Sequence, residues 1–257
     1  MKKLLLGICC LFLATTLTFA ECGGWATHFF PSGKELASNG IILFEGYGGA
    51  ATLVKGLDTQ YPIYLVSGKH KVRLKVKEMH QGYSTFQAFL VHTEPLEVGR
   101  EYEILVENYK TEEHHAITKY NPQMQESQKP TWKIVEAGKA SLEWVKKPVV
   151  GAKHYAAFGC GPAISIMFNM EVKANTAYYI KAIMTNTKTK QVNTYYLEPN
   201  EINQVSIGHG MCSGQFGFGE EKEYKITFDL IDLAGNNTAW KGEPIKFARP
   251  TEETAER

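Results

Sequence analysis

Apolar and polar residues alternate with period two along much of this chain. In Lys69-His70-Lys71-Val72-Arg73-Leu74-Lys75-Val76-Lys77 the basic residues take every second position and apolar ones fill the places between them, the pattern of a strand with one wet face. Short apolar or alternating runs at 41–44, 61–66, 72–76, 85–91 and 101–106 are rich in β-branched and aromatic residues and predict a first strand series. Glycine separates them at Gly46, Gly48, Gly49, Gly56, Gly68, Gly82 and Gly99, where turns need positive φ or close backbone approach. A second series follows at 131–135, 141–145, 163–168, 178–183, 191–197, 202–207, 224–230 and 245–247. No helical period is sustained, so the expected class is all-β, with two tandem antiparallel β-sandwich domains.

The ends and the middle read differently. Lys2 and Lys3, an apolar run over 4–17 and Thr18-Phe19-Ala20 form a secretory signal peptide with small residues at the cleavage site. The run is shorter than the roughly 20 apolar residues of a membrane span, so the mature chain is expected to start near Glu21 with no transmembrane segment, in the periplasm or outside the cell. From 110 to 130 the chain turns polar and ends in Pro130, as a linker does. The expected layout is a leader over 1–20, a first sandwich over 21–109, the linker, a second sandwich over 131–248 and a frayed tail over 249–257. Each domain then has about 100 residues, room for a core.

Certain phrases resemble a known group. Phe30-Pro31-Ser32-Gly33, Asn39-Gly40-Ile41-Ile42-Leu43-Phe44 and Leu96-Glu97-Val98-Gly99-Arg100-Glu101-Tyr102 look like the opening and closing of bacterial exported Ig-like domains. Phe228-Asp229-Leu230-Ile231-Asp232-Leu233-Ala234-Gly235-Asn236 is similar to the end of many Ig-like or fibronectin type III-like repeats, which carry an Asp-x-Ala-Gly-Asn phrase. The resemblance implies an Ig-like fold in both domains and names no activity. The strand number of the second series suits such a module.

Composition narrows partners more than function. With 28 Lys and Arg against 27 Asp and Glu the net charge is +1, and losing Lys2 and Lys3 with the leader takes it to −1. A near-neutral exported chain is a poor nucleic-acid binder, so none is expected as partner. Cys9 and Cys10 leave with the leader, and Cys22, Cys160 and Cys212 remain, an odd count in an oxidising compartment. A disulfide between Cys160 and Cys212 is the expectation; closing a loop of about 53 residues is worth ~4 kcal/mol in the chain-entropy model. Cys22 is an alternative partner for either. The competing reading is a Zn or Cu site made of His154, Cys160, His209 and Cys212, chemically allowed but without the tight ligand spacing of metal motifs. No cofactor is called for.

Catalytic signatures are missing. There is no Gly-x-Ser-x-Gly, and Gly46-Tyr47-Gly48-Gly49 reads as a turn with no helix after it and no phosphate-loop Lys. His28 lies too far from the mature terminus for an amine and imidazole chelate. His114 and His115, beside Glu112 and Glu113, read as a solvated linker cluster. His209 stands between Gly208 and Gly210, where glycine permits a ligand to approach the backbone. The adjacent pairs Tyr178-Tyr179 and Tyr195-Tyr196 place one ring of each pair away from the core if they lie in strands, so Tyr179 and Tyr196 are candidate contacts for a protein or glycan ligand, unless an edge or interdomain contact covers them. Trp132 and Trp144 are expected in the core. The chain is therefore read as a non-catalytic binding, adhesion or envelope-assembly component, with a periplasmic metal-binding protein as the alternative.

Overall fold

The computed structural model describes residues 23–110, 117–121 and 126–255. Strands β1 (Trp25–Phe30), β2 (Glu35–Ala37) and β3 (Ile42–Gly48) come first, then helix α1 (Gly49–Lys55), then β4 (Ile63–Ser67), β5 (His70–Gln81), β6 (Thr85–His92) and β7 (Glu101–Val106). After β8 (Lys119–Asn121), β9 (Glu126–Gln128) and β10 (Thr131–Val135), the long strands β11 (Leu142–Phe158) and β12 (Gly161–Ala174) form a hairpin. The chain ends with β13 (Tyr178–Asn186), β14 (Val192–Leu197), β15 (Gln204–His209), β16 (Glu223–Asp232), β17 (Asn237–Ala239) and β18 (Ile245–Ala248). The protein is all-β, as its alternation predicts. No helix among the described residues is long and apolar enough to cross a membrane.

Eight strands make one sheet in the order β1-β3-β6-β5-β4-β7-β10-β2. Its two ends meet: Phe29 of β1 packs edge-on against Trp132 of β10 with ring centroids 6.0 Å apart, and the Trp132 indole donates to the Pro31 carbonyl at 3.0 Å. The sheet thus curls around a single core of Phe29, Ile42, Phe44, Leu65, Leu74, Leu90, Tyr102 and Trp132. Three β strands, β11-β12-β15, form a second sheet, and β14-β13-β16-β17, with β18 on β16, a third. These two face each other across Phe168, Ile207, Ile180, Ala182, Phe228 and Leu230.

The third sheet has no solvent face to spare in its middle. Along β13 the burial pattern repeats every second residue, with Ile180 and Ala182 in the core just described, while Tyr179 points the other way, into a cluster with Ile41, Leu43, Phe89, Tyr196 and Ile231. The eight-stranded sheet therefore packs on the outer side of the third, and each adjacent tyrosine pair supplies one ring to each side. Tyr178, Tyr179, Tyr195 and Tyr196 are 7%, 0%, 0% and 3% exposed. This corrects the expectation of exposed rings at Tyr179 and Tyr196: both are packing residues, because the strands carrying them are covered on two faces.

At the center of that junction stands Gln87, fully buried. Its Nε2 donates to the Tyr196 carbonyl at 2.9 Å, and its Oε1 accepts from the Tyr196 N–H at 3.0 Å. Since β14 is an edge strand, its outward backbone groups lack a ladder partner, and one side-chain amide of the first sheet supplies both bonds. Tyr196 is held at its other end by Glu78, whose Oε2 accepts from the hydroxyl at 2.9 Å and from Lys181 Nζ at 3.0 Å. The Asp-x-Ala-Gly-Asn phrase lies at the same junction. Asp232 Oδ1 accepts from the N–H groups of Ala234 and Asn236 at 2.9 and 2.8 Å, and the Leu233 carbonyl accepts from Ile41 N–H at 2.7 Å.

Four further expectations change. Thr131–Val135, placed by the sequence at the start of the second sandwich, pairs with β7 and β2 in the first sheet, and Trp132 belongs to the first core. Trp144 is only partly buried, packed edge-on against Trp240 at 5.4 Å. A helix does follow Gly48: α1 buries Ala50, Leu53 and Val54, and Gly48 has φ +60° with no room for a Cβ, which would lie 2.1 Å from the Gly24 carbonyl oxygen. Seven residues are too few to be helical on their own, so packing holds them. The stretch after 248 is anchored through residue 255, with the Arg249 N–H on the Lys222 carbonyl at 2.7 Å, its guanidinium on the Gly219 carbonyl at 2.7 Å, and a turn closed by Ala255 N–H on the Thr251 carbonyl at 2.9 Å. Much of the linker, including His114 and His115, lies outside the described residues.

Gln87→Leu keeps the side chain's bulk and strands two buried backbone groups on Tyr196. Denaturant unfolding is expected to show a loss of about 2 to 4 kcal/mol; a loss under about 0.5 kcal/mol would show that the clamp does not carry the junction.

Candidate functional site

The face of the first sheet that meets the third is apolar at one end and polar at the other. On β3, Ile42 and Phe44 enter the core, whereas Leu43, Glu45 and Tyr47 point to the opposite face. Strand register sets His28 of β1, Glu45 of β3, Gln87 of β6 and His80 of β5 side by side in one row, with Tyr47 and Thr85 forming the next. The apolar end is sealed by the tyrosines. Its polar end opens into a cleft of about 390 Å³ whose far wall is Ala163, Ser165, Ser206 and the segment from Gly208 to Gln215.

That segment is the glycine-rich phrase Gly208-His209-Gly210-Met211-Cys212-Ser213-Gly214. It folds back on the end of β15, with Gly210 N–H on the Ser213 carbonyl at 2.7 Å and Phe216 N–H on the Gly208 carbonyl at 3.1 Å. Gly214 fits because nothing else does: a Cβ there would lie 2.4 Å from His209 Cα. The fold-back is then tied to the first sheet, Gly214 N–H on the Tyr83 carbonyl at 2.9 Å and Thr85 Oγ1 on the Gly214 carbonyl at 2.9 Å. His209 is buried, its ring 4.1 Å from that of Tyr83 and its Nδ1 donating to the Gly210 carbonyl at 2.7 Å. Nε2 is left as the acceptor atom.

Glu45 is the chemically unusual group. It is only 5% exposed, and among the described residues it has no ion-pair partner. Gln215 Nε2 lies 3.5 Å from its Oε1, and the Tyr195 hydroxyl, which donates to Thr85 Oγ1 at 3.1 Å, also bears on the carboxyl. Loss of water pushes the carboxyl up to about 7, against the smaller opposite pull of the Tyr195 and Gln215 hydrogen bonds. His28 at the rim and His209 in the wall are both pulled below the usual imidazole value by desolvation, Arg249 adding to the effect at His209. Near neutral pH the cleft therefore holds two uncharged imidazoles and a carboxyl poised between its two forms, a combination found at functional sites.

The sequence-derived candidates fall unevenly around this cleft. His209 lines it. His154 stands on β11 directly opposite Ser165, exposed and outside the cleft wall. Cys160 sits in the β11–β12 turn and Cys212 in the fold-back. Among the described residues no cystine joins Cys160 to Cys212, so the expected pairing is not found; Cys212 itself is disulfide-bonded. Nor do three or more His, Cys, Asp or Glu side chains gather in a metal-holding group there, and the set His154, Cys160, His209 and Cys212 is not brought together. Tyr179 and Tyr196 lie in the packed junction. The residues that sequence reasoning missed are Glu45, Thr85, Tyr195 and Gln215. A signal for Glu45 existed, since it is a lone carboxylate directly after the apolar run 41–44 and before Gly46.

No family model matches this sequence, and no curated protein matches it. Among solved structures, similarity extends to a pullulanase of Anoxybacillus sp. complexed with maltotriose, at 10% identity and a TM-score of 0.25, over 82% of this chain and 24% of that one. A type I pullulanase of Bacillus subtilis complexed with maltose gives 10% identity and 0.23, over 88% and 24%. The chain spans about a quarter of the length of these enzymes. Scores that low carry no argument about ligand or activity.

The raised carboxyl has a consequence for stability. A folded-state value near 7 against an ordinary 4.5 means that the native protein holds the Glu45 proton more tightly than the unfolded chain. The associated stabilisation is complete below about pH 4.5, is lost as pH rises toward 7, and totals about 3 kcal/mol. Glu78, pulled below the usual carboxylate range by Lys181 and Tyr196 despite its own desolvation, acts in the opposite sense, so the measurement is a difference. Relative to Glu45→Gln, wild type is expected to lose about 3 kcal/mol in urea unfolding between pH 4.5 and pH 8; a pH-independent difference would show that Glu45 titrates normally.

Proposed function

We propose that the protein is an exported binding component without catalysis of its own, built from two β units and holding its ligand in the cleft between the first sheet and the fold-back of residues 208–216. The observation that carries this reading is the position of Glu45, more than nine-tenths withdrawn from water yet at the wall of an open cavity lined by hydroxyls, amides and two histidines. Burial of a carboxyl costs several kcal/mol when nothing offsets it, and such a group is retained where it meets a ligand more readily than where it only packs. Among the described residues lining the cleft it is the one carboxyl. Acid and base roles shared by two carboxyls, as in glycoside hydrolysis, therefore have no second member. The signal-peptide pattern of residues 1–20 supports export, and the pairing of β10 with β7 and β2 supports a boundary between the two units after Val135.

The test uses protein expressed with its leader and recovered from the exported fraction. The expected mass corresponds to a chain beginning at Glu21, and native mass spectrometry is expected to find a non-covalent small molecule that is lost from Ser206→Phe, whose ring fills the cleft. Retention of the same adduct by that variant would remove the ligand from this cleft, and a full-length mass with the leader attached would remove the export.

A further inference from the structure

Taking the cleft as the binding site, we infer that its ligand is an organic cation, a molecule presenting a primary ammonium group to Glu45. The inference deepens the reading above and rests on it. It starts from what surrounds the carboxyl on every side. From β1 comes His28, from β3 Tyr47, from β6 Thr85 and Gln87, from β14 Tyr195, and from the opposite wall His209 and Gln215. None of these is a fixed positive charge, and among the described residues lining the cleft there is no Lys or Arg. Arg249, felt at His209, donates to the Gly219 carbonyl.

The other buried carboxylate among the described residues, Asp232, is met by three N–H donors from Ala234 and Asn236, and two less buried carboxylates have a cation. Asp58 pairs with Arg73 at 2.7 Å and Glu78 with Lys181 at 3.0 Å. Glu45 is more buried than any of these and, among the described residues, has neither a cation nor such a set of donors, while the space in front of it is open. A buried carboxylate is strongly favoured by one well-placed cation, and a ligand ammonium is the charge this site is missing. The rest of the wall suits it. An ammonium has three N–H donors and no acceptor, and the far wall of the cleft offers hydroxyl oxygens at Ser165, Ser206 and Ser213. An anionic ligand would meet Glu45 with like charge, and a neutral one would leave it unpaired. About 390 Å³ is room for a molecule the size of an amino sugar or a short alkylamine.

Because the carboxyl sits near neutrality without ligand, a cation that binds only its ionised form must displace the proton first. Affinity is then expected to be about tenfold weaker at pH 6 than at pH 8, and binding at pH 7 to release about half a proton per ligand.

The experiment is calorimetric titration of the mature full chain with two matched pairs, n-butylamine against 1-butanol and glucosamine against glucose, with the pH series run on butylamine. The expected result is that the amine of each pair binds at least tenfold tighter than its hydroxyl counterpart, that the heat at pH 7 depends on the ionisation enthalpy of the buffer, and that Glu45→Gln abolishes both the preference and the pH dependence. Ser206→Phe, which leaves Glu45 in place, is expected to lose binding of all four, a check should Glu45→Gln fold poorly. If amine and alcohol bind alike and Glu45→Gln changes nothing, the cation inference falls and the binding cleft stands. If none of the four binds up to about 10 mM, an affinity below roughly 3 kcal/mol, the inference also falls, and the cleft reading is then decided by the native-mass comparison of wild type and Ser206→Phe.

Discussion

Everything that gives this protein its functional geometry depends on how the first sheet is fastened to the third. The apolar part of the contact, Ile41, Leu43 and Phe89 against Tyr179, Tyr196 and Ile231, supplies most of the driving force. It does not by itself fix a relative position, since apolar contact is non-directional. The Gln87 amide does. Two hydrogen bonds of 2.9 and 3.0 Å to the two backbone groups of a single residue allow one placement of β6 against β14, and a slip of one residue would bury four unpaired polar atoms.

Glu45 lies next to Gln87 across β3 and β6, so the cleft inherits its dimensions from that clamp. The separation of Glu45 from Gln215 is set directly beside the locked point, and that of Thr85 from the Gly214 carbonyl two residues from it. This is how a site on loops acquires the precision of one on strands: the fold-back of 208–216 is irregular, but Tyr83 and Thr85 hold it at Gly214 from the sheet side, and His209 is pressed on Tyr83. The electrostatic character follows from the same arrangement. Packing takes water from Glu45 and His209, and in part from His28, and among the described residues lining the cleft it puts no Lys or Arg beside them.

Strand existence was legible in the sequence because period-two alternation reports one-sided burial directly. The runs at 85–91, 101–106 and 178–183 lie wholly in strands, as does 191–197 from Val192 onward. What failed was inference from a pattern to a partner. Trp132 announces a core but not which core, and β10 returns to the first sheet through pairings with β7 and β2 that are invisible locally. The tyrosine doublets mark strands with two apolar faces, and alternation cannot say whether the second face meets solvent or another sheet. Helix α1 has no period long enough to register. In the site, His209 stood out because glycine flanks it, while Glu45, Thr85, Tyr195 and Gln215 converge from three strands and a loop, and no spacing in the chain links them.

The long strand β11 sits at the outer edge of its sheet, with Val145 and Val149 exposed. Its pairing with β12 is interrupted three times, between Trp144 and Lys146, Lys146 and Val149, and Val150 and Lys153. Pro148, within that stretch, has no N–H to offer, and Lys146 turns its charge to Glu171 at 3.0 Å. An uninterrupted apolar edge of that length would be a template on which a second molecule could add its own strand, and a third after it. The irregular edge is a poor template of that kind, so the shape of one strand disfavours growth of the sheet from molecule to molecule.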